Sequence, residues 1–125
     1  MKLEILNTYN HGGPKERITL AARDNLNLSN YILIAQKKVK RGQQWVDDRR
    51  LFSFPNHSIN SNDWVRIFSG IGNYSLTKEV KGGQLRRVHN YYWNLEEFLW
   101  DENGNSAYLI DLQQTYSHLV KGLDN

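Results

Sequence analysis

The chain has 125 residues, 39% hydrophobic and 23% charged, with a net charge of +3 at neutral pH. That length suits one domain, and fifteen aromatics (four Trp, seven Tyr, four Phe) are enough to anchor one core. Cysteine is absent, so disulfides, thiol nucleophiles and cysteine-held metals are excluded.

Residues 1–15 read as an N-terminal strand and lead-in. KLEILNT alternates loosely, and HGGP, residues 11–14, interrupts any regular element with two glycines and a proline. ERITLAA, residues 16–22, places Ile18 and Leu20 at period two and predicts a strand with one buried face. RDNLNLSN is polar and turn-like, and YILIAQ, residues 31–36, is a β-branched and aromatic strand. Residues 37–50, KKVKRGQQWVDDRR, carry six basic and two acidic residues around Gly42 and predict a polar insertion, an exposed loop or hairpin.

LFSF then forms a short strand that Pro55 ends, because proline cannot donate to a ladder. Phe52 and Phe54 stand two apart and face one side, the core. NHSINSND turns, and WVRIFSG, residues 64–70, is a strand anchored in the core by Trp64. IGNYSLTKEVKGGQ reads as turn-rich, and LRRVHNYYW as mixed strand or loop. Two apolar-aromatic runs flank Asn103-Gly104, a strong hairpin signal. TYSHLVKGLDN extends the last strand.

No segment holds helical periodicity for three turns, and turn signals recur every ~8–12 residues, the pattern of an all-β sandwich or barrel. The whole chain, residues 1–125, is read as one domain.

The order of these parts resembles the lamin tail domain, an immunoglobulin-like β-sandwich. The matching parts are ERITLAA, NLSNYIL, FSFP, WVRIFSG and LWDENGNSAYLID, across residues 16–112. Where the family has glycine and tryptophan in its "L-S-G-W" step, this chain has Asn30 and Tyr31, and the insertion at 37–50 is long for the family. The resemblance implies an interaction domain contacting proteins and, in some members, nucleic acid, with no active site of its own.

Candidate chemistry is sparse. His11, His57, His89 and His118 show no metal-ligand spacing, and no serine sits in a nucleophile elbow. Neither GIGNY nor KGGQ has the helix start that a phosphate-cradling loop needs. DENGN is not a calcium loop, since its glycine comes early and no glutamate closes it. Glu96 and Glu97, as strand neighbours, would face opposite ways; only a pocket joining His89, Glu96 and Asp101 would argue for catalysis. Asp47-Asp48 beside Arg49-Arg50 reads as self-neutralisation in a solvated loop. No enzyme, metal or cofactor is expected.

Binding is the better prospect. The first basic cluster is Lys37, Lys38, Lys40 and Arg41 with Arg49 and Arg50; the second is Arg86 and Arg87 interleaved with Tyr91 and Tyr92, a mixture suited to nucleic acid. Trp45 reads first as a ring folded back to anchor the insertion; exposed, it would be a protein hot spot or a sugar-stacking ring. The expected function is protein binding through residues 37–50 and the adjoining sheet edge. Nucleic-acid binding and a carbohydrate-binding sandwich are the alternatives. With no apolar run near ~20 residues and no signal-peptide h-region, the expected address is cytoplasmic, without membrane insertion, or extracellular for an excised domain.

Overall fold

The computed structural model describes residues 1–10, 12–101 and 105–113, and the backbone of residues 116–120. Eleven strands and one 3-10 turn make it all-β among the described residues. They are β1 (Leu3–Tyr9), β2 (Arg17–Ala22), β3 (Leu26–Asn27), the turn Leu28–Asn30, β4 (Tyr31–Arg41), β5 (Gln44–Ser53), β6 (Ser58–Ile59), β7 (Trp64–Phe68), β8 (Ser75–Lys81), β9 (Gln84–Tyr92), β10 (Ser106–Asp111) and β11 (Tyr116–Val120). One sheet has the order β1-β2-β7-β9-β8, a second the order β11-β10-β4-β5, and β3 pairs with β6. All pairings are antiparallel except β7–β9. No helix among the described residues is long and apolar enough to cross a membrane.

The inner faces of the two large sheets meet in one core cluster, an arrangement compatible with a β-sandwich. From the five-stranded sheet come Leu3, Ile18, Leu20, Val65, Ile67 and Tyr91; from the four-stranded sheet come Leu33, Ala35, Ala107 and Leu109. The registers put them there: Leu20 lies opposite Val65 and Val65 opposite His89, so one face runs continuously across three strands. Phe54 is buried and Phe52 packs against the core, their rings edge to face at 5.1 Å, as the FSFP spacing predicts.

Several local expectations are corrected. Residues 37–50 are not a loop. They form most of a ladder in which β4 and β5 pair from Ile32↔Ser53 out to Arg41↔Gln44, around the two-residue turn Gly42-Gln43. Leu51, Phe52 and Ser53 are the far end of β5 rather than a separate strand, and Phe54 lies just beyond it. IGNYSLTKEVKGGQ holds the whole of β8, joined to β9 across Gly82-Gly83, both at positive φ (60° and 80°). Such a turn matches the twist of its strands and strongly favours glycine.

The strand β2 buries both faces: Thr19 and Ala21 are as covered as Ile18 and Leu20. A strand with neighbours on both sides and long side chains arching over its outer face has no solvated side. The run before Asn103-Gly104 is not a strand, and β10 pairs instead with β4 and β11; Asn103 and Gly104 themselves lie outside the described residues.

The end of the stretch preceding them, Leu99 and Trp100, is held through its amides by a single buried carboxylate. Glu16, 1% exposed, accepts from the backbone N–H groups of Gly12 (2.9 Å), Leu99 (2.7 Å) and Trp100 (3.0 Å). An irregular segment inside a core needs such acceptors, because its own amides have no ladder.

Candidate functional site

The β4–β5 hairpin outruns its sheet. The last β4 residue paired with β10 is Gln36, so among the described residues 37–41 and 44–48 make strand pairs with each other alone, as a two-stranded arm, with the Lys38 amide donating to the Asn105 side chain at 2.9 Å. β5 is also the terminal strand of its sheet, so one of its backbone edges faces no described strand. The period of two divides the arm's side chains between its faces. Lys38, Lys40, Trp45, Asp47, Arg49 and Leu51 share the outer face; Lys37, Arg41, Asp48 and Arg50 share the other.

The first cluster is thereby split. On the inner side, Lys37 reaches the Phe98 carbonyl and the Asp101 carboxylate (3.5 Å). Asp48 pairs with Arg41 and with Arg50 at 3.2 Å each, and Arg50 also meets Glu97 at 3.0 Å. These cations brace the arm against the segment 97–101. The self-neutralisation expected of the Asp-Arg run does occur, but on a strand, and only for its inward-facing half. Glu97 belongs to that bracing and lies on no strand. On the outer side, Lys38 and Lys40 are exposed, Arg49 donates to the Gln36 side chain at 3.2 Å, and Asp47 is the only carboxylate on that face of the arm.

Trp45 does not fold back. It is 64% exposed, the most exposed aromatic side chain among the described residues, and Leu51 on the same face is 59% exposed. The reason is positional: Trp45 lies opposite Lys40, beyond the last described pairing of β4 with β10.

The second cluster comes apart on β9. Arg86 and Tyr92 are on the outer face of the five-stranded sheet, whereas Arg87 and Tyr91 are on the inner side. Tyr91 is buried, with its hydroxyl on His57 Nδ1 and its ring stacked on Tyr74 at 5.0 Å. Burial raises its pKa far above the ordinary phenol value. It is a core residue and is closed to stacking with a base. Arg86 donates to the Asn62 carbonyl (2.8 Å) and lies over the Trp64 ring at 4.8 Å. Tyr92 stacks on Phe68 at 4.9 Å.

Trp64, expected in the core, is half-buried on this outer face, because Val65 and Ile67 take the inward positions of β7. Around it lie arginines and rings in alternation. Arg66 approaches Trp64 at 5.8 Å, and Arg17 sits over Tyr9 at 4.9 Å and near Phe68 at 5.9 Å. Glu79 takes both terminal nitrogens of Arg66, Nη2 at 2.9 Å. Sequence reading missed Arg17 and Arg66. The alternation marks each as opposite in facing to a buried neighbour, but only the register Arg17↔Phe68, Thr19↔Arg66 brings them together.

His57 and His89 form a network at the inner edge of β9, while His11 and the His118 side chain lie outside the described residues. His89, 0% exposed, meets Asp63 through Nε2 at 2.9 Å and Tyr74 through Nδ1 at 3.0 Å. The Asp63 carboxylate accepts from Nε2, and Nδ1 faces the Tyr74 hydroxyl, whose pKa is raised by burial. His57 packs edge-on to His89 at 4.9 Å. Its pKa is lowered, first by burial and then by repulsion from His89 and Arg87. Both nitrogens of His89 are engaged, and its partners are Asp63 and Tyr74 rather than Glu96 or Asp101. No group of three or more His, Asp or Glu among the described residues is placed to hold a metal ion. The network ties the 57–63 turn and Tyr74 to β9.

Compared with known proteins, the chain matches no family model and no curated protein.

Proposed function

We propose that this chain is a lamin-tail-like, immunoglobulin-type β-sandwich that works as a non-catalytic protein-binding module, taking an acidic, extended polypeptide along β5. The observation that carries this reading is the β4–β5 hairpin at a sheet edge, which exposes Trp45 on its arm and Leu51 farther along the same face of β5. A tryptophan in such a position is the residue type that dominates interface energies once a partner desolvates it. An edge strand offers unpaired backbone groups for strand addition, with alternate side chains supplying selectivity. The partner's charge is set by the outer face, where Lys38, Lys40 and Arg49 outnumber Asp47. Two copies of the chain would bring these cations against each other, which disfavours self-pairing.

The test is selection from a displayed library of extended peptides rich in Asp, Glu and aliphatic residues, followed by titration calorimetry. Selected peptides are expected to shift the backbone amides of residues 44–53 and to bind Trp45→Ala about 30-fold more weakly, the scale of a hot-spot tryptophan. Trp45→Ala should fold normally, since its ring is exposed. Binders indifferent to both Trp45→Ala and Leu51→Asn would overturn the reading. So would tight single-stranded DNA binding through the arm lysines with a steep salt slope, which marks phosphate-driven association.

A further inference from the structure

On the outer face of the five-stranded sheet, away from the arm, β1, β2 and β7 enclose a cleft of about 170 Å³. Its lining includes Tyr9, Arg17, Thr19, Trp64, Arg66 and Lys81. Registers Thr19↔Arg66 and Asn7↔Thr19 set Thr19 between Asn7 and Arg66 in the lining, with Arg17 one position along β2's outer row. Thr19 is 2% exposed. We propose that this cleft is a binding site for a phosphate-class oxyanion carried on a small organic molecule.

Three observations converge. Thr19 Oγ1, Arg17 Nε and Arg66 Nε are all buried, and none meets a hydrogen-bond partner among the described residues. Buried polar atoms are nearly always paired, so three in one cleft call for a common partner. Two of the three are obligate donors and the third is a hydroxyl free to donate, so the partner they fit is rich in acceptors. The arginine–aromatic stacking accounts for the guanidinium planes but leaves these three atoms unanswered.

Charge gives the second argument. Arg17, Arg66 and Lys81 line the cleft, and Glu79 is the carboxylate that answers them, already committed to the terminal nitrogens of Arg66. Burial, and then repulsion from Arg66, lowers the Arg17 pKa, so its charge is under-compensated where it stands. A dianion would relieve both. Guanidinium groups, with their planar forked donors, are suited to phosphate oxygens. Third, the Trp64 and Tyr9 rings beside the donors offer apolar walls to whatever carries the anion, the usual composition of a small-ligand site.

The arginine Nε–H groups report binding directly. In ¹H–¹⁵N spectra of the full chain, sodium phosphate at constant ionic strength should move the Arg17 and Arg66 Nε–H signals saturably, and sodium chloride should not. Thr19→Val, which keeps the side chain's shape, should weaken the affinity by about 10-fold or more, the scale of one hydrogen bond to a charged group. Its unchanged strand amides would show that folding is intact. Adenosine monophosphate and an oligothymidylate separate the sources: tighter binding of the monoester with movement of the Trp64 indole signal identifies a small phosphate compound. Tighter binding of the oligomer, with the same two Nε–H groups moving and the same loss in Thr19→Val, identifies chain phosphates and overturns the small-molecule assignment. Non-saturating shifts, equal shifts in chloride, or binding unaffected by Thr19→Val would overturn the proposal altogether.

Discussion

Removing the Glu16 carboxylate should cost more stability than removing any surface ion pair in this chain. Glu16→Ala deletes three hydrogen bonds to backbone amides and leaves the donors of Gly12, Leu99 and Trp100 without their acceptor, two of them buried. An unsatisfied buried donor costs roughly 1–3 kcal/mol. With Gly12 able to find water, the change comes to about 4 kcal/mol for the two buried donors. A chain of this size is stable by roughly 6–19 kcal/mol at the usual ~0.05–0.15 kcal/mol per residue, so a large share of the total is at risk. With an unfolding entropy of ~2.1 cal/mol/K per residue, the expected fall in Tm is about 15 °C. Glu16→Gln keeps one acceptor oxygen but turns an amide NH2 toward a backbone N–H, so it should fall between the two. Thermal and urea unfolding would give the free energies. Native-state hydrogen exchange would locate the change, with Leu99 and Trp100 amides losing protection first. A Glu16→Ala protein within about 1 kcal/mol of the parent, with those amides still protected, would refute the view that this carboxylate holds Leu99 and Trp100 in the core.

The same geometry sets three further outcomes. The lowered His57 pKa means that the unfolded chain binds a proton more readily than the folded one. Its contribution to stability is therefore present above the ordinary value of 6.5 and falls as pH drops below it; Tm measured from pH 8 to 5 should decline less in His57→Gln than in the parent. For Glu79 the hydrogen bonds from Arg66 hold the pKa below 4.5, against the opposing pull of burial, so its stabilisation is present above that value and is lost as pH falls. Glu79→Gln should thus cost about 1 kcal/mol at pH 7, with the gap to the parent closing in denaturant titrations taken below pH 4.5. Gly83, at φ +80°, has open space for a methyl group but the wrong backbone for one, so Gly83→Ala should lose about 1 kcal/mol in the same titrations through strain alone.

Much of the architecture could be read directly from local chemistry. The alternation at Ile18 and Leu20, the β-branched run from Tyr31 and the Phe-Ser-Phe-Pro step each name a strand and its buried face, because period two is a property of the extended backbone itself. The absence of any helical period settles the all-β class in the same way. Where composition misled, a neighbour was the cause. Residues 75–81 look like turn because an edge strand facing solvent needs no apolar face, and only pairing to β9 makes them a strand. The arm looks like a loop for the same reason.

The binding surfaces were legible only in part. The six cations of residues 37–50 and the oddity of Trp45 stand out in the linear order. Yet whether Trp45 packs or projects depends on where β10 stops, a fact of register rather than of residue type. Arg86, Arg87, Tyr91 and Tyr92 are close in sequence and divided in space, since strand neighbours face opposite ways. Conversely, Arg17 and Arg66 are far apart in the chain and meet on one cleft. Local backbone physics determined the apolar strands, such as residues 17–22 and 31–36, and the side of each that faces the core, whereas the polar strands needed their neighbours. Strand order and register, set by long-range hydrogen bonding and by the fit of two inner faces, decided which charged and aromatic residues share a surface.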